Sequence, residues 1–281
     1  MKNIDITQIK ALAIDLDGTA LLPDSSMGER TIQCLKKLIA NNIQIIFCTG
    51  RAIESSCRYY NAIGASGPMV FFNGAEVAEI PEVKIISSSL LNLKAVDFAL
   101  DLARKTDSHF QVFLPPQEDG KKSWEQLFID KQRPEAEMYR QHTGIRAIEA
   151  DLKKVIAMPE LKGAVKAMFI AEPKRIAVLR KKIIDCLGSS IYTAISFPSF
   201  LEIMSADASK GKGLRTVLQH RGLSPNEVIA IGDEENDLPM FAVAGYSAAP
   251  SSARENIRRA ADFVFGSNAE EGLAAFLEKM F

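Results

Sequence analysis

Cysteine and histidine are sparse in this chain of 281 residues, and neither is grouped. The four cysteines, Cys34, Cys48, Cys57 and Cys186, form no CxxC pair and have no histidine at ligand spacing. A zinc site or a disulfide frame is therefore not expected, and free thiols are. His109, His142 and His220 stand far apart, and no serine elbow accompanies them, so a Ser-His-Asp hydrolase has little support. Cationic excess is missing too: a formal net charge of −1 offers no footprint for nucleic acid. No apolar run approaches the roughly 20 residues of a membrane span. The first ten residues contain no apolar signal-peptide core, which points to a cytoplasmic protein with no membrane partner. Repeats and low-complexity tracts are also lacking.

What remains is an ordinary globular composition, 47% hydrophobic and 25% charged, enough for one large domain or two of moderate size. Residues 9–14 read as a strand, and 28–40 as a helix with Ile32, Leu35, Leu38 and Ile39 on one face. Residues 43–48 form an almost continuous apolar run, suited to a parallel strand covered on both faces. A helix to about residue 63 and a strand over 69–72 follow. Alternating strands and helices, with polar or glycine-bearing loops at each strand exit, mark a doubly wound α/β sheet.

The order changes after Gly74. A strand pair is expected over 76–89, helices over 92–105 and 173–187, and strands over 109–114, 164–171, 191–196 and 200–204. Residues 115–146 are polar and yield only a helix near 134–142. This α+β stretch reads as an inserted domain. A helix from 209 to 219 and a buried strand over 227–231 then restore the first pattern. Strands over 245–248 and 262–265 and helices over 252–260 and 268–279 complete it. The expected division is a discontinuous core, 1–80 and 197–281, with an inserted domain over 81–196.

Ligands of such a sheet bind outside the carboxyl ends of its strands, and here those exits are polar. Asp15-Leu16-Asp17-Gly18-Thr19 puts two carboxylates on the loop leaving the first strand. Burying two acids beside a core strand is costly unless a cation holds them, which suggests a divalent metal and an anionic substrate. Asp-Gly is also common hairpin punctuation, so this pair alone does not separate a site from a turn. Thr49-Gly50-Arg51 ends the second strand, Asn73-Gly74 the third, and Gly232-Asp233-Glu234-Glu235-Asn236-Asp237 follows the strand over 227–231. Lys210 stands at a helix entrance between these last two. Singly, Thr49-Gly50 suits a strand-to-helix turn, Lys210 a solvated lysine, and the acidic run an N-capping loop.

Together, DLDGT at 15–19, TGR at 49–51, SKG at 209–211 and GDEEND at 232–237 resemble the four ordered motifs of the haloacid dehalogenase-like (HAD) superfamily. The long insertion resembles the cap of its Cof-type sugar-phosphatase subfamily. The resemblance spans nearly the whole chain. It implies a Rossmann-like core with an inserted α+β cap and Mg²⁺-dependent hydrolysis of small phosphate esters. Sugar phosphates come first among these and a cofactor phosphate second. On that resemblance Asp15 is the nucleophile, forming an aspartyl-phosphate, and Asp17 the general acid and then base. Mg²⁺ would sit among Asp15, the Asp17 carbonyl and Asp233.

Thr49 and Gly50 would bind the transferring phosphoryl group through a hydroxyl and a backbone N–H. Lys210 would place its charge on the phosphate and on Asp15. Asn236 and Asp237 would orient metal waters and Lys210 from behind. Arg51 and Asn73, at exits facing the same crevice, are expected to touch substrate or cap. Trp124 and Tyr139 are expected in the core of the cap.

Two departures bear on specificity. After the fourth motif, subfamily members usually carry a methionine or valine with an Asn-Ala pair, whereas this chain reads Ala248-Ala249-Pro250-Ser251-Ser252-Ala253. Residues 117–162 carry none of the motifs behind this resemblance, and selectivity for substrate is expected to reside largely there. The expected partner is a small-molecule phosphate ester, and the expected state a monomer or weak dimer. A phosphomutase of the same fold and a non-catalytic sensor of phosphorylated ligands are the rival readings; the presence of both Asp15 and Asp17 speaks against the sensor.

Overall fold

A computed structural model describes residues 4–116 and 126–281; Trp124 lies outside them. By compactness the chain forms two units. One comprises Met1–Arg51, Ser56–Ser87 and Ser209–Phe281, the other Ala52–Ser55 and Ser88–Ala208.

The first unit opens with β1 (Ala11–Ile14), buried along its whole length as its unbroken apolar sequence requires. Helix α1 (Glu29–Ala40) buries Thr31, Cys34, Leu35 and Leu38, and the chain then turns at Asn42, where φ is 64°. Strand β2 (Gln44–Phe47) runs parallel to β1, with Ile14 opposite Phe47. Helix α2 (Ile53–Ile63) and the fully buried β3 (Gly67–Phe71) follow. A parallel bridge between Cys48 and Val70 connects β3 to the end of β2. From there β3 pairs antiparallel with β4 (Glu76–Ile80), and β5 (Lys84–Ser88) completes a three-stranded sheet.

The second unit begins with α3 (Leu93–Lys105), capped by Asn92, whose side chain accepts a hydrogen bond from the Lys94 N–H. Next come β6 (His109–Leu114), β7 (Gln126–Ile129), α4 (Pro134–Thr143), β8 (Ile148–Glu149) and α5 (Leu152–Ile156). Strand β9 (Lys166–Ile170), α6 (Pro173–Leu187), β10 (Ile191–Phe197) and β11 (Phe200–Ser205) finish it. Its sheet has the order β10-β11-β9-β6-β7-β8, antiparallel except between β7 and β8. Val96, Leu100, Leu152, Ile176 and Ile183 from the helices pack on Phe110, Val112, Phe169, Leu201 and Ile203 from the strands.

Alternation along the strands puts Lys166 and Glu202 among the buried residues as an ion pair of 3.0 Å. The sequence reading ends the insertion at 196. Pairing of Leu201 with Phe169 instead keeps the chain in this sheet through β11.

Back in the first unit, α7 (Lys210–Arg221) is capped by Ser209, which accepts from the Lys212 N–H at 3.1 Å, and it closes at the left-handed Gly222. Then come β12 (Val228–Ile231), α8 (Leu238–Phe241), β13 (Tyr246–Pro250), α9 (Glu255–Ala260), β14 (Phe263–Phe265) and α10 (Gly272–Met280). The helix expected over 268–279 is split, because Glu271 takes a left-handed φ of 51° and α10 starts only after it. The sheet order is β14-β13-β12-β1-β2, parallel throughout. The chain thus winds outward from β1 in both directions, and the crevice of such a sheet opens where the order reverses, at the ends of β1 and β12.

Candidate active site

The ladder carries one residue past β1, where the Asp15 N–H donates to the Ile231 carbonyl at 2.9 Å. This seats the Asp15 carboxylate, 5% exposed, at the reversal point. A wide turn follows, closed by Ala20 N–H to the Asp15 carbonyl (3.3 Å) and Leu21 N–H to the Leu16 carbonyl (2.9 Å). Within it Gly18 has φ 74°, and a Cβ there would run into the Asp233 carboxylate. Thr19 donates its hydroxyl to Asp233 Oδ1 at 2.9 Å. One loop therefore delivers Asp15 and also makes room for, and steadies, an acid from β12's exit.

Lys210, 1% exposed, lies between two of the acids: Nζ is 2.8 Å from Asp15 Oδ1 and 2.6 Å from Asp237 Oδ1. A cation on the first turn of a helix opposes the peptide dipoles, and these carboxylates offset that. Asp237 Oδ2 accepts the backbone N–H groups of Asp233 (2.8 Å) and Glu234 (3.0 Å). Both Asp237 oxygens are thus occupied in holding the lysine and the loop.

Ligand oxygens of Asp15, Asp233 and Asp237 lie within 4.8 Å of one another. Burial drives the Asp15 carboxyl well above the ordinary carboxylate range; Lys210 offsets this in part, and Asp237 and Asp233 add to it. Burial, then the charge of Asp237, lifts Asp233 to about 7. Burial also works against the Lys210 ammonium, but Asp15 and Asp237 outweigh it and raise its pKa. Three carboxylates thus share one ammonium, and the cluster is short of positive charge. Buried, hard oxygen donors of this kind fit a divalent cation such as Mg²⁺. Cys48, buried beside this cluster, has its thiol pushed far up by burial and offers no thiolate.

Thr49 is fully buried and takes the Arg51 N–H on its hydroxyl oxygen at 3.1 Å, which leaves the hydroxyl proton to donate. Arg51 grips Asp17 through two parallel bonds, Nε to Oδ2 at 2.7 Å and Nη2 to Oδ1 at 2.6 Å. The Asp17 side chain is 53% exposed and stands outside the buried acidic cluster. Ser25 Oγ accepts from Arg51 Nη2 at 3.1 Å, and the Tyr59 ring lies 5.3 Å from the guanidinium carbon. Tyr59 in turn donates its hydroxyl to the Ser25 carbonyl. Asn73, 3% exposed, accepts from Asn236 Nδ2 at 2.9 Å, and its carboxamide lies 3.1 Å from where a Cβ of Gly50 would be.

All ten positions singled out in the sequence lie in the first unit: Asp15, Asp17, Thr49, Gly50, Arg51, Asn73, Lys210, Asp233, Asn236 and Asp237. Sequence reasoning assigned nothing to Thr19, Ser25 or Tyr59. Thr19 stood inside a quoted motif; Ser25 and Tyr59 carry no signal, since their work depends on where Arg51 points.

A family model described as haloacid dehalogenase-like hydrolase matches residues 12–277. The chain belongs to this family. Among the relatives of this hydrolase, a phosphoglycolate phosphatase of Methanopyrus kandleri is 26% identical over 267 residues, 95% of this chain and 94% of that one. An HMP-PP phosphatase of an Enterobacter species is 26% identical over 233 residues, 83% and 80% of the two chains. A haloacid dehalogenase-like hydrolase from Bacteroides thetaiotaomicron has the same fold, with a TM-score of 0.85 at 23% identity over 97% of this chain and all of that one. Among the described residues no helix is long and apolar enough to cross a membrane.

Proposed function

We infer that this hydrolase is a Mg²⁺-dependent phosphomonoesterase for small phosphorylated metabolites, with sugar phosphates the first class to test. One observation carries the reading: a buried carboxylate, Asp15, 2.8 Å from a buried lysine and clustered with Asp233 where the sheet order reverses. The names of the relatives, both phosphatases, support it.

An Asp15 oxygen attacks phosphorus, the phosphorus–alkoxide bond breaks, and the departing oxygen takes a proton from Asp17. Asp17 then accepts a proton from water as that water attacks the aspartyl-phosphate; phosphate leaves and the Asp15 carboxylate is regenerated. Arg51 engages each Asp17 oxygen once, which leaves a lone pair on each for the proton transfers. The Thr49 hydroxyl and the Gly50 N–H hold the phosphoryl oxygens, and Lys210 keeps charge on them and on Asp15. Asp15, the Asp17 carbonyl and Asp233 would hold Mg²⁺, which when bound offsets the repulsion between carboxylate and phosphate. The second unit serves as the cap that selects the leaving group.

The test is phosphate release from a panel of sugar, nucleotide and cofactor phosphates, with Mg²⁺ or with chelator, beside Asp15→Asn. Metal-dependent release that disappears in the variant is the expected result. Transfer of the phosphoryl group to a sugar would identify a mutase instead. Binding without turnover would point to a sensor.

A further inference from the structure

Asn73 and Asn236 belong to loops 163 residues apart, yet their carboxamides meet at 2.9 Å. The backbone holds Asn73 firmly. Its φ is 54°, its N–H donates to the Thr49 carbonyl at 2.9 Å, and a Cβ on the following Gly74 would strike the Ser209 carbonyl. Asn73 therefore sits among the loops that carry Thr49, Lys210 and Asp233. A left-handed Asn before Gly is ordinary turn chemistry, but a turn does not require its side chain to be buried and bonded to a distant loop.

The carboxamide of Asn236 has a donor end and an acceptor end. Asn73 Oδ1 can accept only from the NH₂ end, so the bond fixes which way Asn236 faces. The other end, Asn236 Oδ1, is buried and meets no hydrogen-bond partner among the described residues. A buried acceptor left without a donor is unfavourable, so a bound group that offers a donor here is favoured.

We propose that Asn73 is a positioning residue: it orients the Asn236 carboxamide so that Asn236 Oδ1 accepts a hydrogen bond from a water or hydroxyl group brought by the bound phosphate ester. The proposal rests on the phosphomonoesterase reading of the same site. Asn73 acts through Asn236 and not by touching substrate.

The experiment is a double-mutant cycle on the full chain with p-nitrophenyl phosphate and Mg²⁺. Asn73→Gly keeps the left-handed backbone and deletes the amide; Asn73→Asp keeps the acceptor. Asn73→Gly and Asn236→Ala are each expected to lower kcat/KM by about 10–100-fold, the range for residues that orient a site from behind. Asn73→Asp should recover most of that loss. In the Asn236→Ala background Asn73→Gly should add less than about twofold, because its route of action is gone. Equal losses from Asn73→Gly in both backgrounds, or no loss in either, would overturn the proposal. If glycine prevents folding, Asn73→Ser, whose hydroxyl is too short to reach Asn236, replaces it. If the unaltered protein hydrolyses no ester, the hydrolase reading fails by itself. The same cycle, read as thermal stabilisation by inorganic phosphate with Mg²⁺, still decides whether the two residues act as one.

Discussion

At the scale of single residues, burial works against the charge of Asp15. Asp15 has a raised pKa, chiefly through burial, so its charged form is disfavoured in the folded protein. Its contribution to stability is complete below the unfolded carboxyl value near 3.8 and is lost as pH rises through the folded value. Asp15→Asn removes that charge while keeping an oxygen for Lys210. In chelator near neutral pH the variant should therefore unfold at a higher temperature than the unaltered protein, by about 2–4 °C per kcal/mol regained. Differential scanning fluorimetry reads this, and a lower midpoint would mean that the ion pair with Lys210 outweighs burial. Asp15, Asp233 and Lys210 were singled out through the resemblance of four ordered motifs, and the fold brings the three together. The Arg51 grip on Asp17 was not legible in the sequence, since a long side chain on another strand exit had to find it across 34 positions.

At the scale of elements, the lysine helix is seated by a backbone contact. Gly74 has φ 92°, and a Cβ there would strike the Ser209 carbonyl at the cap of α7, next to Lys210. Gly144 also has a positive φ, 81°, but open space around it. Gly144→Ala should show backbone strain alone, about 1 kcal/mol. Gly74→Ala adds displacement of α7 and should cost about 2–4 kcal/mol in urea unfolding, with most of the hydrolysis lost. Equal losses in the two variants would show that α7 does not depend on this contact. The parallel strands β1, β2 and β12 were readable from apolar runs that are continuous or, in β2, broken only by Gln44. Strand β7 was not, because its four residues gain their meaning from pairing with β6. The break before α10 was missed because Glu271 is an ordinary helix former that adopts a left-handed turn here.

At the scale of the whole molecule, stability should be coupled to metal and to pH together. Asp233 is raised to about 7, by burial first and Asp237 second. A raised carboxyl gives metal-free stability that is full below about 3.8 and declines as pH rises through 7. A divalent cation held by the deprotonated acids would reverse that decline. The rise in thermal midpoint on adding Mg²⁺ should therefore be larger at pH 8 than at pH 6. A gain independent of pH would remove Asp233 from the metal site.

The sequence by itself determined the α/β core, the presence of an insertion and the kinds of side chain at each strand exit. These follow from local periodicity and from glycines that end strands, and both act over a few residues. Only the tertiary structure decided which atoms face one another: Thr19 on Asp233, Asp237 wholly engaged behind Lys210, Asn73 bonded to Asn236, and the insertion continuing through β11. Those outcomes depend on strand order and on side-chain reach between segments up to 214 residues apart, and short-range patterning in the chain does not encode them.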